Sequence, residues 1–488
     1  MSPTLLRFPA DRFSWRFVGV VAGAMLAIIA LGWNEQAIAA GNRFVDITAF
    51  YCGGWVLAHG ADPYLVHPLT ECESSAHTFG HLTLPMTLPA PLPPYVLILF
   101  SLAARIAPFA VVAWVWSALN LLAIAVSAEI LRRRLPLPPL SIAALLVMAT
   151  LSVGVVYGQF TGVELLSIVG AGELLARGAP RRAAACCCIA MVEPHVGLAP
   201  LLALTVLVPR ARPVVVAFAA LVVLASAIAG AGLSLEYVRA VLPAHAVANV
   251  VDFTQYALPS VLWLLHVPPS VALAIGGAVF VLALPGAVLG ARSVVARTGR
   301  IEGLPWTAAA IGTCAAPHLH FQQLACALPG LAFVLAADPR RRAVLVAVLG
   351  VAIPWLRLIV SPVGAISAGF VSYAYLCGIL PRRPALYLSA GISLLASVLM
   401  SLLVLTAKSA LPSAPPPVIV GNPLAEVPWA QTIGDRSGIL QIGTAFARLP
   451  TWLALGACIA FAFSARRTSR PIPTGVASAP RSVAQTGA

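Results

Sequence analysis

The sequence predicts an all-α protein, a bundle of helices that crosses a lipid bilayer many times, and three observations predict it. Of its 488 residues, 60% are hydrophobic and only 9% are charged, with a mean hydropathy of +0.94. A soluble domain carries about 25% charged residues to keep its surface in water. This chain has too little charge to clothe a globule, and lipid is the solvent it suits. Long apolar runs recur along it, and clusters of arginine punctuate those runs.

The placement of charge decides what the net +14 means. In a soluble protein that balance points to nucleic acid. Here the basic residues fall in short groups between apolar runs: Arg132 to Arg134; Arg177, Arg181 and Arg182; Arg210 and Arg212; Arg292, Arg297 and Arg300; Arg340 to Arg342; Arg382 and Arg383; Arg466, Arg467 and Arg470. Short basic loops resist translocation and stay in the cytoplasm. Nucleic acid is therefore not an implied partner, whereas membrane lipid is.

Alternating sides along the chain gives a consistent topology. A cytoplasmic start, 1–14, leads into a span at 15–33 and a long outer segment at 34–108. Spans follow at 109–131, 139–157 and 162–177, then a proline-broken hairpin at 183–209 and a span at 213–232. A second outer segment covers 233–268. Further spans read as 269–290, 304–317, 321–337, 343–360, 363–380 and 385–406. A proline-rich outer loop, 407–448, precedes a last span at 449–464 and a disordered cytoplasmic tail at 465–488. The basic residues outside are Arg43, Arg105, Arg239, Arg357, Lys408, Arg436 and Arg448, leaving 23 of 30 inside. Several runs are shorter than the ~20 residues a crossing needs, so half-helices or re-entrant pairs are expected and the count is 11 to 14. The first span has a basic start and an Ala37-Ile38-Ala39 resembling a cleavage site; the many later spans favour an uncleaved anchor.

Chemistry is sought in the outer segments and in polar residues among the spans. No CxxC, HExxH, Walker or strand-borne GxGxxG pattern occurs, so neither a metal nor a cofactor is implied. Cys186 to Cys188, Cys314, Cys326, Cys377 and Cys458 read as small apolar side chains. Cys52 and Cys72 share an outer segment where a disulfide is allowed, and they are read as unpaired. Phe44 to Gly60 reads as a short amphipathic helix lying at the membrane interface, with Asp46 at its N-terminal end. Asp46 suits a helix cap as well as it suits catalysis. The prolines of 84–95 predict an irregular approach to a re-entrant or interfacial helix ending near Pro108. Gln159 suits a ligand hydroxyl or a helix end; His318 and His320, beside Gln322 and Gln323, suggest a polar cavity. Arg357 reads as a snorkelling or functional cation. Glu164 and Glu173 do not share a helix face, and Glu129 reads as solvated.

Four segments, in order, resemble glycosyltransferase family 87, multispanning enzymes of the GT-C class. They are Asp46, Tyr51, Gly60, Pro63 and Tyr64; Pro93-Pro94-Tyr95 leading to Trp114; Tyr157-Gly158-Gln159 with Glu193-Pro194-His195; and Ala316-Pro317-His318-Leu319-His320. The match spans residues 40–340. The chain departs from the family pattern at Glu193, where Lys is usual, at Ala316 in place of Ser, and at Phe160-Thr161, where Asn is common. The resemblance implies a GT-C-like fold and inverting transfer of a mannose-like hexose from a polyprenyl-phosphate donor to a lipid or glycan acceptor. The transfer would take place on the outer face of a bacterial inner membrane. It gives Asp46 the role of general base, and Tyr51, Tyr64, Gln159, His195, His318, His320 and Arg357 are the candidate substrate-binding residues. A secondary transporter and a catalytically inactive protein of the same fold are the competing readings.

Overall fold

A computed structural model describes residues 12–32, 44–76, 87–148, 151–252, 254–337, 348, 351–352, 369, 372–377, 380–407, 421–431 and 448–457. Among these residues the architecture is helical, without a β-strand. The helices are α1 (Trp15–Gly32), α2 (Val45–Ala58), α3 (Val66–Ala76), α4 (Pro94–Ile106), α5 (Phe109–Arg134), α6 (Pro139–Met148), α7 (Leu151–Tyr157), α8 (Thr161–Ala176), α9 (Pro180–Ile189), α10 (Pro194–Leu207), α11 (Arg212–Ala229), α12 (Ala231–Glu236), α13 (Leu242–Val250), α14 (Leu258–Leu264), α15 (Pro269–Thr298), α16 (Gly303–Ala315), α17 (Leu328–Ala337) and α18 (Arg382–Ala407). A π-helical turn, Tyr237–Val241, joins α12 to α13. Proline opens α4, α9, α10 and α15, where its missing N–H leaves no bond unmade.

Among the described residues, three helical stretches are long and apolar enough to cross a membrane: Phe109–Arg134, Pro209–Ala229 and Pro269–Thr298. Their outer flanks are bare hydrocarbon. None of the residues of α11 is buried, and Val223 on α11 and Leu282 on α15 are 69% and 72% exposed. Such a surface is costly in water and neutral in lipid. On the inner side, small residues let backbones touch. A Cβ on Gly54 would lie 2.4 Å from the Phe100 carbonyl carbon, and one on Gly172 2.4 Å from Trp306 Nε1. Close helix contact of this kind supplies the van der Waals attraction that holds helices together in lipid.

Several features differ from the expectations. The helix α2 is not an interfacial amphipath; Ile47 to Gly54 and Val56 are all buried, because α4 packs across one face and α3 against another. Cys52 and Cys72 are bonded to each other and join α2 to α3, as suits an oxidising compartment. The outer segment 233–268 is largely helical, since it carries α12 to α14. Helix α15 continues to Thr298, eight residues past the expected span, and so carries Arg292 and Arg297. The spans expected at 343–360 and 363–380, the tail at 465–488 and Arg357 lie wholly or largely outside the described residues.

Glu129 is fully buried rather than solvated. Its carboxylate accepts Arg132 Nε at 2.6 Å and the Ser14 amide at 2.9 Å, tying α1 to α5. Glu173 gathers Arg134, Arg133 and Arg177. Part of the arginine population thus serves an internal network. Removing one partner of a buried ion pair strands the other. Glu129→Ala should lower unfolding stability by about 3–5 kcal/mol, read by thermal unfolding of the purified protein. The double variant Glu129→Met with Arg132→Met should lose far less.

Candidate functional site

One cavity, of about 890 Å³, opens among α2, the break between α9 and α10, the π-turn and α13, and the loop before residue 323. The chain reaches it from several directions, and local chemistry explains each approach.

Residues 87–93 are extended because proline cannot complete a ladder or a helix there. Their polar groups find side-chain partners instead. Glu73 is buried and accepts the Leu88 amide at 3.0 Å; burial pushes its carboxyl up to about 8. Tyr64 Oη donates to the Leu92 carbonyl at 2.8 Å, and Tyr95 Oη donates to the Met191 carbonyl at 2.6 Å. The last bond fastens α4 to the end of the hairpin's first arm.

Asp46 stands in the first turn of α2, whose N-cap position belongs to Phe44 in the left-handed region (φ 59°). Its carboxylate therefore does not serve as the cap, and Oδ2 accepts Gln159 Nε2 at 2.7 Å. Gly158 makes this bond possible. At φ 82° it reverses the chain after α7, and a Cβ there would lie 2.5 Å from Ile47 Cβ. Trp116 Nε1 donates to its carbonyl at 2.9 Å. Only glycine fits so close an approach at positive φ, and the next side chain, Gln159, lands on Asp46. Burial, foremost, raises the Asp46 carboxyl to about 7; Glu193 and Asp252 push the same way, and the Gln159 bond opposes them.

The hairpin breaks at Glu193, whose backbone is extended before Pro194 opens α10. Glu193 accepts Gln323 Nε2 and lies 3.8 Å from His195 Nε2. His318 and His320 sit with ring centroids 4.7 Å apart, and His195 and His245 each lie 5.5 Å from His318. Thr254 donates its hydroxyl to Asp252 at 2.8 Å, so His320 Nδ1, 2.9 Å away, is the donor to Thr254 Oγ1. Gln255 Nε2 then faces the bare His320 Nε2 at 3.0 Å. Asn249 Nδ2 lies 2.9 Å from His245 Nε2, leaving Nδ1 to donate to Glu426 at 2.9 Å. Burial holds His320 down at about 3 and His318 well below the usual imidazole range, with neighbouring rings adding to the effect. Asp252 is raised, chiefly by burial.

The predicted residues divide. Asp46, Gln159, His195, His318 and His320 line the cavity. Tyr51 and Tyr64 do not: Tyr51 Oη donates to the Ala107 carbonyl at 3.2 Å and Tyr64 braces the proline segment, so both support the wall. Arg357 lies outside the described residues. Sequence reasoning missed His245, Asp252, Thr254, Gln255, Glu426 and Trp429. A run of polar residues at 249–255 within an otherwise apolar outer segment was the signal for three of them, Asp252, Thr254 and Gln255. Glu426 and Trp429 arrive because Ala425 N donates to the Tyr64 carbonyl at 2.8 Å and Val66 N to the Pro423 carbonyl at 3.0 Å. Nothing local announces that docking.

Among the described residues, no lysine or arginine lines the cavity, and no group of three or more His, Cys, Asp and Glu side chains is arranged to hold a metal ion. The wall has the character of carboxylates, neutral imidazoles, amides and aromatic faces, a set that can position a polyhydroxylated ligand and move a proton. Comparison with protein-family models, curated proteins and solved structures finds no match for the chain.

Proposed function

We propose that the protein is a membrane glycosyltransferase of GT-C type, with 11 to 14 spans. It moves a hexose from a polyprenyl-phosphate donor to an acceptor hydroxyl in the outward-facing cavity. One observation carries the reading. Residues from all four segments that resemble glycosyltransferase family 87, far apart in sequence, line a single cavity: Asp46, Tyr95, Gln159, Glu193, His195, His318 and His320. The disulfide on the same side of the molecule suits an outer compartment.

The acceptor hydroxyl attacks the anomeric carbon as the bond to the lipid phosphate breaks, inverting that centre. Asp46 takes the hydroxyl proton, and the Gln159 amide aims its carboxylate. The N–H groups of His195 and His318 and the side-chain amide of Gln322 are the donors offered to sugar oxygens and to the leaving phosphate. The broken hairpin at Glu193 also suits a secondary transporter. Counterflow of a solute by proteoliposomes that form no glycoside would select that reading.

Asp46→Asn preserves shape but cannot accept a proton. It should cut transfer at least ~100-fold with membrane expression unchanged; near-normal turnover would remove Asp46 from the chemistry. A base must be ionised to act, and Asp46 titrates near 7. The wild-type rate should therefore climb from about pH 6 to about pH 8, and a flat profile across that range would contradict the assignment.

Orientation is tested separately. His59→Cys, at an exposed position after α2, should react with an impermeant maleimide in intact cells, whereas Arg181→Cys, exposed at the start of α9, should react only after lysis. The reverse pattern would place the cavity on the cytoplasmic side.

A further inference from the structure

Two stretches of chain run antiparallel at the cavity wall, 254–256 before α14 and 319–321 after α16. The Tyr256 amide donates to the Leu319 carbonyl at 2.7 Å, and the Phe321 amide donates to the Thr254 carbonyl at 3.2 Å. This pairing sets the Gln255 side chain against the rings of His318 and His320. Gln255 is 1% exposed, and its orientation is fixed. Its Oε1 accepts the Leu319 amide at 2.9 Å, a group that can only donate, so the side-chain nitrogen faces the rings. Arg448 donates to the Gln255 backbone carbonyl at 2.8 Å. The Gln255 nitrogen has two hydrogens, and two ring nitrogens stand within reach of them: His320 Nε2 at 3.0 Å and His318 Nδ1 at 3.3 Å. His320 Nδ1 is also near, at 3.2 Å, but its proton goes to Thr254. A proton on His318 Nδ1 or His320 Nε2 would set donor against donor.

We propose that Gln255 is a positioning residue that keeps His318 and His320 uncharged and leaves the His318 proton on Nε2, as a neutral donor to an oxygen of the ligand. Resting on the transferase reading, that oxygen belongs to the phosphate of the donor lipid. Asn249 repeats the device on a third ring. Its Nδ2 donates to the His245 carbonyl at 2.8 Å, which fixes the amide, and faces His245 Nε2 at 2.9 Å. The charged groups around the rings are Glu193, 3.8 Å from His195, Glu426 on His245, Asp252 on Thr254 and Arg448 beyond Gln255. Asp46 lies within electrostatic range of Glu193 and Asp252. The carboxylates favour charging the rings; the two amides and burial oppose it. A neutral donor strengthens as charge collects on the phosphate oxygen, and it holds the intact donor less tightly than a cation would.

The test reads tautomers and rates on the full-length protein. With 15N-labelled histidine, the His318 and His320 signals are assigned by their loss in His318→Gln and His320→Gln. In the wild type both rings should stay neutral from pH 6 to pH 8, with His318 protonated at Nε2 and His320 at Nδ1. Gln255→Glu keeps the shape and an acceptor for Leu319 but has no proton to give; one of the two rings should become charged at pH 6 or move its proton. In transfer assays with a polyprenyl-phosphate hexose, His318→Leu should be slower by at least ~100-fold. His318→Gln offers an uncharged N–H and should stay within ~10-fold of the wild type, with the midpoint of the pH profile unmoved. A charged His318 or His320 in the wild type, a proton on His318 Nδ1, or unchanged rings in Gln255→Glu would overturn the lock. Equal losses in His318→Leu and His318→Gln, or a shifted midpoint in His318→Gln, would overturn the neutral-donor role. The expected spectra without any transfer by the wild type would uphold the lock and overturn the transferase reading, and the contact to phosphate with it.

Discussion

The contact between Gly158 and Ile47 is the constraint on which the site depends. Two helices meet there at backbone distance because one residue has no side chain and adopts positive φ. Were they held a methyl group further apart, Gln159 would fall short of Asp46, whose hydrogen bond is 2.7 Å long. Lipid gives no help in closing such a gap, since apolar surface gains nothing by leaving one hydrocarbon environment for another. Fit alone sets the approach, and the rest of the wall is arranged around the carboxylate so placed.

The same economy governs the irregular backbone. In a low dielectric every unpaired carbonyl costs free energy, so the chain leaves helical geometry only where side chains cover the gaps. Tyr64 and Tyr95 cover carbonyls beside the proline segment, Glu73 covers the Leu88 amide, and Gln255 Oε1 accepts the Leu319 amide at 2.9 Å. These irregular stretches border the cavity. A cavity of this kind is assembled from the places where helices had to stop.

Composition and arginine spacing made the helical class legible, and proline placement marked the break at Glu193 and the start of α4. Asp46 and Gln159 were legible as polar residues at helix ends, although their contact was not, because it depends on Gly158 and on a glycine's packing. Tyr51 and Tyr64 looked like ligand contacts but spend their hydroxyls on carbonyls. Glu129 looked solvated because its neighbours in sequence are arginines; its burial comes from α1, more than 110 positions away. The bonded pair Cys52 and Cys72 needed the fold of α2 on α3 to be seen. His245 and Glu426, 181 positions apart, show the limit most plainly, since long-range pairing leaves no local pattern.

The length of α15 has a consequence for the membrane itself. Its 30 residues make a rod about 45 Å long at ~1.5 Å per residue, against ~30 Å of hydrocarbon in a typical bilayer. In the transmembrane reading the excess must tilt, thicken the bilayer locally or stand clear of it. Arg292 and Arg297 occupy the last two turns, so the surplus at that end projects among the lipid headgroups. Bilayer thickness then becomes a variable that sets the inclination of α15. Because Gly277 and Phe280 of that helix line the cavity, a change of lipid chain length would alter the width of the cavity without touching a residue.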